Sequence, residues 1–169
     1  MNHPGGPFCI RYPRDAAPDV VAHLKDVPAV PYGTWEVLRK GTDVAILAVG
    51  TMVRNALAAA ETLAAEGLDV TVVNCRYLKP HDELTLAALL ADHKLLFTVE
   101  EGILLNGFGA YMAGVVEKLD PSVRVIAHGV PDRIIYAASR ANQLAQTGLD
   151  AAGIAARVRA LHESEAVAG

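Results

Sequence analysis

Three arginines carry the chemistry that this sequence most plainly offers. Arg11 and Arg14 lie in "FCIRYPRDAAPD", residues 8–19, where an apolar run gives way to an irregular segment. Arg76 lies in "NCRYLKP", after a second apolar run. A guanidinium has a rigid fork of donors that matches a carboxylate or a phosphate, so arginines at the ends of strands are candidate anion holders. Each also has a plainer reading. Arg11 or Arg14 can pair with Asp15 or stay solvated, and Arg76 can bridge to Glu100 or Glu101 at a neighbouring strand end.

The other candidate groups are less specific. Gly50-Thr51 stands at a predicted helix N-terminus, where free amides attract anions, but it is neither a P-loop nor a GxGxxG turn. The glycines of "NGFGAYM", Gly107 and Gly109, also lack the dinucleotide fingerprint and read as close packing at a helix start. Glu100-Glu101 could do acid–base work, although paired carboxylates at a strand end serve more often as capping or interface groups. The six histidines are scattered without metalloprotease spacing, and there is no GxSxG elbow. The sequence shows no complete catalytic set.

These groups must be positioned by elements, and the patterning of residues 43–130 defines them. "DVAILAVG" (43–50), "DVTVVNCRYL" (69–78), "KLLFTVEE" (94–101) and "SVRVIAHGV" (122–130) read as buried strands. Helices are expected between them over 51–67, 81–93 and 107–120, with two more near 137–147 and 150–164. Thr51 and Asp150 are placed as N-caps, and Gly67 suits the end of the first helix. Residues 34–41, "TWEVLRKG", read as an edge strand, and residues 7–12 as a further strand. Between these two, residues 13–33 hold four prolines and little periodicity, as a linker does. The expected fold is α/β: a three-layer αβα, open, mostly parallel sheet with one antiparallel edge strand. In such sheets ligands meet the carboxyl ends of the strands, here Gly50-Thr51, Asn74 to Tyr77, Glu100-Glu101 and His128 to Asp132.

Composition bounds the function. The chain has 169 residues, 52% hydrophobic and 20% charged, with a net charge of −4 and a pI near 5.8. This acidic balance does not suit a nucleic-acid surface. No apolar run reaches membrane-spanning length and no signal peptide is visible, so a cytoplasmic location is expected, without membrane partners. Cys9 and Cys75 lie in apolar runs outside any CxxC pattern and read as free buried thiols in a reducing compartment. The opening "MNHPGGPF" has no element before its first strand and reads as a chain entered partway through a longer protein.

Several segments together resemble the C-terminal part of the 1-deoxy-D-xylulose-5-phosphate synthase family, thiamine-diphosphate enzymes of the transketolase superfamily. They are "HPGGPFCIRYPRD", "GTWEVLRKGTDVAILAVGTMV", "VTVVNCRYLKPHDE", "FTVEEGILLNGFGA", "VPDRII" and "GLDAAGIAARV", in the family's order. Beta subunits of 2-oxo-acid dehydrogenases share some single pieces; the RYPR segment and the "GLDAAGI" ending favour the synthases. The resemblance implies residues 1–33 as the end of a preceding pyrimidine-type domain plus linker, and 34–169 as a transketolase C-terminal-type domain.

It also implies an enzyme that condenses pyruvate with glyceraldehyde 3-phosphate in isoprenoid precursor synthesis. In the family, thiamine diphosphate and Mg2+ are bound by other domains, so no cofactor is expected on this chain alone. Arg11 and Arg76 map onto the family's acceptor-phosphate arginines, with Arg14 as a further contributor. The implied partners are a glyceraldehyde 3-phosphate-type acceptor, the missing N-terminal domains or a complementing chain, and a second copy in a homodimer. Two positions and one run depart from the family pattern: Asp15 and Asn106 replace glycines, and "IIYAAS" (134–139) replaces a different run. Two alternatives stand beside this reading. One is a split subunit of a transketolase or a 2-oxo-acid dehydrogenase, and the other a non-catalytic anion-binding or interaction module.

Overall fold

The computed structural model describes residues 5–12 and 28–168. A five-stranded sheet in the order β1-β3-β2-β4-β5 forms its centre. The strands are β1 (Glu36–Arg39), β2 (Val44–Ala48), β3 (Val70–Asn74), β4 (Leu95–Ile103) and β5 (Arg124–Val130). β1 is antiparallel to β3 at the edge, and the remaining pairings are parallel. The helices are α1 (Met52–Ala65), α2 (Glu83–Asp92), α3 (Phe108–Leu119), α4 (Arg140–Thr147) and α5 (Ala151–Ala168).

Successive side chains of a strand point to opposite faces, and the apolar residues follow that rule. Val44, Ile46, Val70, Val72, Leu95 and Phe97 face α1 and α5, where Met52, Ala56, Leu63, Ile154 and Val158 are buried. Ala45, Leu47, Val73 and Leu96 face the other side, against Leu86 and Leu89 of α2 and Met112 and Val116 of α3. The expected three-layer arrangement is therefore present. Buried helix residues at three- and four-residue spacing, such as Ala56, Ala59, Ala60 and Leu63, form the stripe that docks α1.

Several local expectations are corrected. Residues 7–12 form no strand and are exposed, because no neighbouring strand satisfies their backbone. Cys9 is consequently exposed, whereas Cys75 is buried as expected. β3 stops at Asn74, because Arg76 N donates to Asn74 O and turns the chain; Arg76 lies beyond the strand rather than at its last residue. Thr51 precedes α1, but its hydroxyl makes no capping bond. Gly67 does follow the helix with φ +89. Asp150 Oδ1 accepts from Gly153 N at 2.9 Å, the expected capping contact for α5. α4 begins only at Arg140, capped by Ser139, and α5 runs to Ala168, longer than its predicted end. Asn106 has φ +58, a left-handed conformation that asparagine tolerates better than most residues; this explains how it stands at a position that suits glycine.

Candidate functional site

The carboxyl ends of β2, β3 and β4 converge on one edge of the domain. Arg76 is held there on two sides of its guanidinium. Nε donates to Thr34 O at 3.4 Å, while Nη2 donates to Thr34 Oγ1 at 3.1 Å and to Trp35 O at 3.2 Å. Nη1 reaches Glu36 Oε2 at 3.3 Å. The partner is thus Glu36 and not Glu100 or Glu101. The sheet order explains this, since β2 lies between β3 and β4.

Trp35 organises the surroundings of Arg76. Its backbone N–H donates to Asp82 Oδ2 at 2.8 Å and its indole N–H to Tyr77 O at 2.7 Å. Asp82 also caps α2, accepting from Thr85 N at 2.9 Å. Burial pushes the Asp82 carboxyl up, but bonds from Thr85, Trp35 and Leu84 outweigh it, and the net shift is downward. The Tyr77 ring meets Phe8 and Tyr32 edge-on, with centroids 6.1 and 5.5 Å away. Phe8 therefore brings the segment bearing Arg11 against the residue that follows Arg76. Arg11 itself is exposed. Arg14 and Asp15 lie outside the described residues. Beside Trp35, His81 Nδ1 and the Tyr111 hydroxyl are 2.8 Å apart.

The paired glutamates have separate structural tasks. Glu100 is buried, and its oxygens accept from Phe108 N at 3.0 Å and Gly109 N at 2.9 Å. It completes the N-terminus of α3, where free amides favour a negative charge. The glycines around it are required by space: a Cβ on Gly107 would lie 2.6 Å from Glu100 Oε1. One on Gly109 would lie 2.4 Å from Thr98 Oγ1, so the expected close packing at this helix start is present. Glu101 binds Arg140 Nη2 at 2.6 Å and accepts from Thr51 Oγ1 at 2.7 Å, joining β4, α4 and the β2–α1 turn.

His128 Nε2 lies 2.8 Å from Gly148 O, and its ring stacks on Phe97. Burial lowers its pKa; the Gly148 bond opposes this, and the Arg157 charge adds to the lowering.

Glu36, Thr34, Trp35 and Arg140 were not singled out by sequence reasoning. Glu36 carried one usable signal, as an acidic residue at the start of an edge strand beside β3. Arg140 carried none, because its role depends on contacts across the fold. Among the described residues, no group of three or more His, Cys, Asp or Glu side chains is placed to hold a metal ion. Glu100, Glu101 and Asp82 are each already engaged, by the α3 amides, by Arg140 and by the α2 N-terminus with Trp35 N.

The architecture defines an open, doubly wound α/β domain with an ordered arginine, Arg76, beyond the carboxyl end of β3. The family model "Transketolase, C-terminal domain" matches residues 33–154, and the chain belongs to that family. It is 40% identical over its whole length to a 1-deoxy-D-xylulose-5-phosphate synthase of Synechococcus sp. (strain JA-2-3B'a(2-13)) and spans 26% of that protein. It is 41% identical over 93% of its length to the synthase of Azoarcus sp. (strain BH72), spanning 24% of it. The chain thus corresponds to about a quarter of the length of these relatives. A solved split-gene transketolase, described as an inactive beta4 tetramer, superposes with a TM-score of 0.72 at 33% identity. That match covers 86% of this chain and 46% of the other.

Proposed function

We propose that this chain is the C-terminal portion of a 1-deoxy-D-xylulose-5-phosphate synthase, in which it binds the phosphate of the acceptor and contributes to subunit contacts. The observation that carries this reading is the 40% identity to a synthase, extending over every residue of the chain. The enzyme condenses pyruvate with glyceraldehyde 3-phosphate. The other domains, or a complementing chain, hold thiamine diphosphate and Mg2+, and the cofactor supplies the carbanion chemistry there. The assembly is a homodimer in the cytoplasm. Residues 1–33 belong to the end of the preceding domain and its linker, and residues 34–169 to this one.

Within this assignment Arg76 and Arg11 act by position. Arg76 is preorganised by Thr34 and Trp35, and the Phe8–Tyr77 contact draws the Arg11 segment toward it. Charge-assisted bonds to the acceptor phosphate fix its aldehyde toward the reacting centre. Arg14 is a further contributor. Each bond to a charged group contributes about 1.5–3 kcal/mol, so Arg76→Ala or Arg11→Ala raises the KM for the phosphorylated acceptor about 10- to 150-fold. The test is steady-state kinetics of the enzyme assembled with its remaining domains. The KM for pyruvate changes little; equal effects on both substrates, or none, overturn the phosphate role.

The likeness to the split-gene transketolase favours a second reading, in which this chain is one subunit of a two-chain enzyme. Co-purification of a complementing chain, and the substrate the pair turns over, separates the two. If Arg11→Ala and Arg76→Ala leave cellular function intact in a folded protein, the domain is a non-catalytic interaction module instead.

A further inference from the structure

We infer that Glu36 is a built-in competitor for the acceptor phosphate at Arg76, setting how tightly that phosphate is held. This inference rests on the acceptor-phosphate reading above and assigns an affinity-setting role to a residue that reading does not use. The geometry is asymmetric. Thr34 and Trp35 occupy Nε and Nη2 of Arg76, so the guanidinium cannot turn freely toward an incoming anion. The Nη1 side remains, and Glu36 stands there at 3.3 Å. Glu36 pairs across the β1–β3 ladder with Asn74, whose carbonyl accepts from Arg76 N, so the backbone keeps the carboxylate beside the arginine.

The contact is built to be displaced rather than to lock. At 3.3 Å it is longer than the 2.6 and 2.7 Å ion pairs elsewhere in the domain, and the Glu36 side chain is 48% exposed against 25% for Arg76. A half-exposed pair of this kind adds little stability. Its charge nevertheless acts on any anion that approaches Nη1. Glu36 neutralises part of the arginine's attraction and repels the dianion, and a phosphate engages Nη1 by displacing it. A weakly held phosphate suits a binding site that must release a phosphorylated product.

The test is a titration of the 169-residue chain with inorganic phosphate, followed by the NMR signal of the Arg76 side-chain N–H and by calorimetry. Glu36→Gln keeps the side-chain shape and removes the charge. The expected result is phosphate binding about 1.4- to fivefold tighter, the range for an exposed ion pair. Arg76→Lys in the Glu36→Gln background, which preserves charge where alanine could disturb the fold, removes that gain. A merely structural Glu36 lowers the melting temperature without tightening phosphate, and that outcome overturns the inference while leaving Arg76 as the phosphate ligand. If phosphate leaves the Arg76 signal unmoved in both backgrounds, the phosphate reading fails and this inference with it.

Discussion

Glu100 shows what a charged residue at the head of a functional edge can be for. It accepts two backbone N–H groups of α3 while itself buried. Glu100→Ala strands those donors, and the expected loss is about 1–3 kcal/mol in urea denaturation, the penalty of a buried unsatisfied group. Glu100→Gln loses less, because its amide oxygen still accepts one bond. His128 yields a pH prediction. Burial is the main reason its folded-state pKa lies below the ordinary histidine value, so the unfolded chain binds more protons in that window. Its contribution is complete above about pH 6.5 and falls away as pH drops through the window below. Asp82, whose pKa is also lowered, loses its contribution only below about pH 4, so the two limbs separate. Denaturation midpoints between pH 7.5 and 5 check this, and His128→Gln should flatten the upper limb. At this scale the sequence exposed Arg76, Glu100 and Glu101 as candidates but not their partners. Glu36 lies 40 residues from Arg76 and Arg140 lies 39 from Glu101, separations that no local pattern encodes.

The elements were legible where burial imposes a period. β2 is a continuous apolar run and β3 is buried through Val73 because helices cover both faces, and α1 shows its stripe because only one side meets the sheet. The reading failed where pairing decides. Residues 7–12 have strand composition, but strand formation depends on a partner more than on propensity. α4 has no buried residue among its eight, so its start left no apolar trace. α5 matters more than its place at the end of the chain suggests. Ala155, Val158 and Leu161 are buried against α1, beyond residue 154 where the family match ends. Deleting residues 155–169 uncovers that face. Burial of Val158 and Leu161 contributes about 1.5–3 kcal/mol each, a large share of the 5–15 kcal/mol typical of a domain. The truncated chain is expected to lose its cooperative thermal transition in near-ultraviolet circular dichroism; an unchanged transition would show that α5 is dispensable.

At the scale of the molecule, the domain has a solid core and leaves large apolar groups exposed before and along edge strand β1. Ile10, Tyr12 and Tyr32 are 54%, 85% and 57% exposed, and Val37 and Leu38 on edge strand β1 are also open. Large apolar groups left exposed in this number mark surfaces that other protein covers. The assignment to a multidomain synthase supplies such cover, since the relatives are about four times as long as this chain. Two consequences can be measured on the chain alone. It should self-associate in sedimentation velocity, with the apparent mass rising with concentration. It should also give no micromolar binding of thiamine diphosphate with magnesium in calorimetric titration, because its strand-end carboxylates are already committed to α3, Arg140 and Trp35. Adding the remaining domains in trans should suppress self-association and create cofactor binding together, since one docking event closes the apolar edge and completes the site. Suppression without cofactor binding would mean that the added partner covers the edge but is not the catalytic one. Micromolar binding to the lone chain would move the cofactor site onto this domain and overturn the division of labour proposed here.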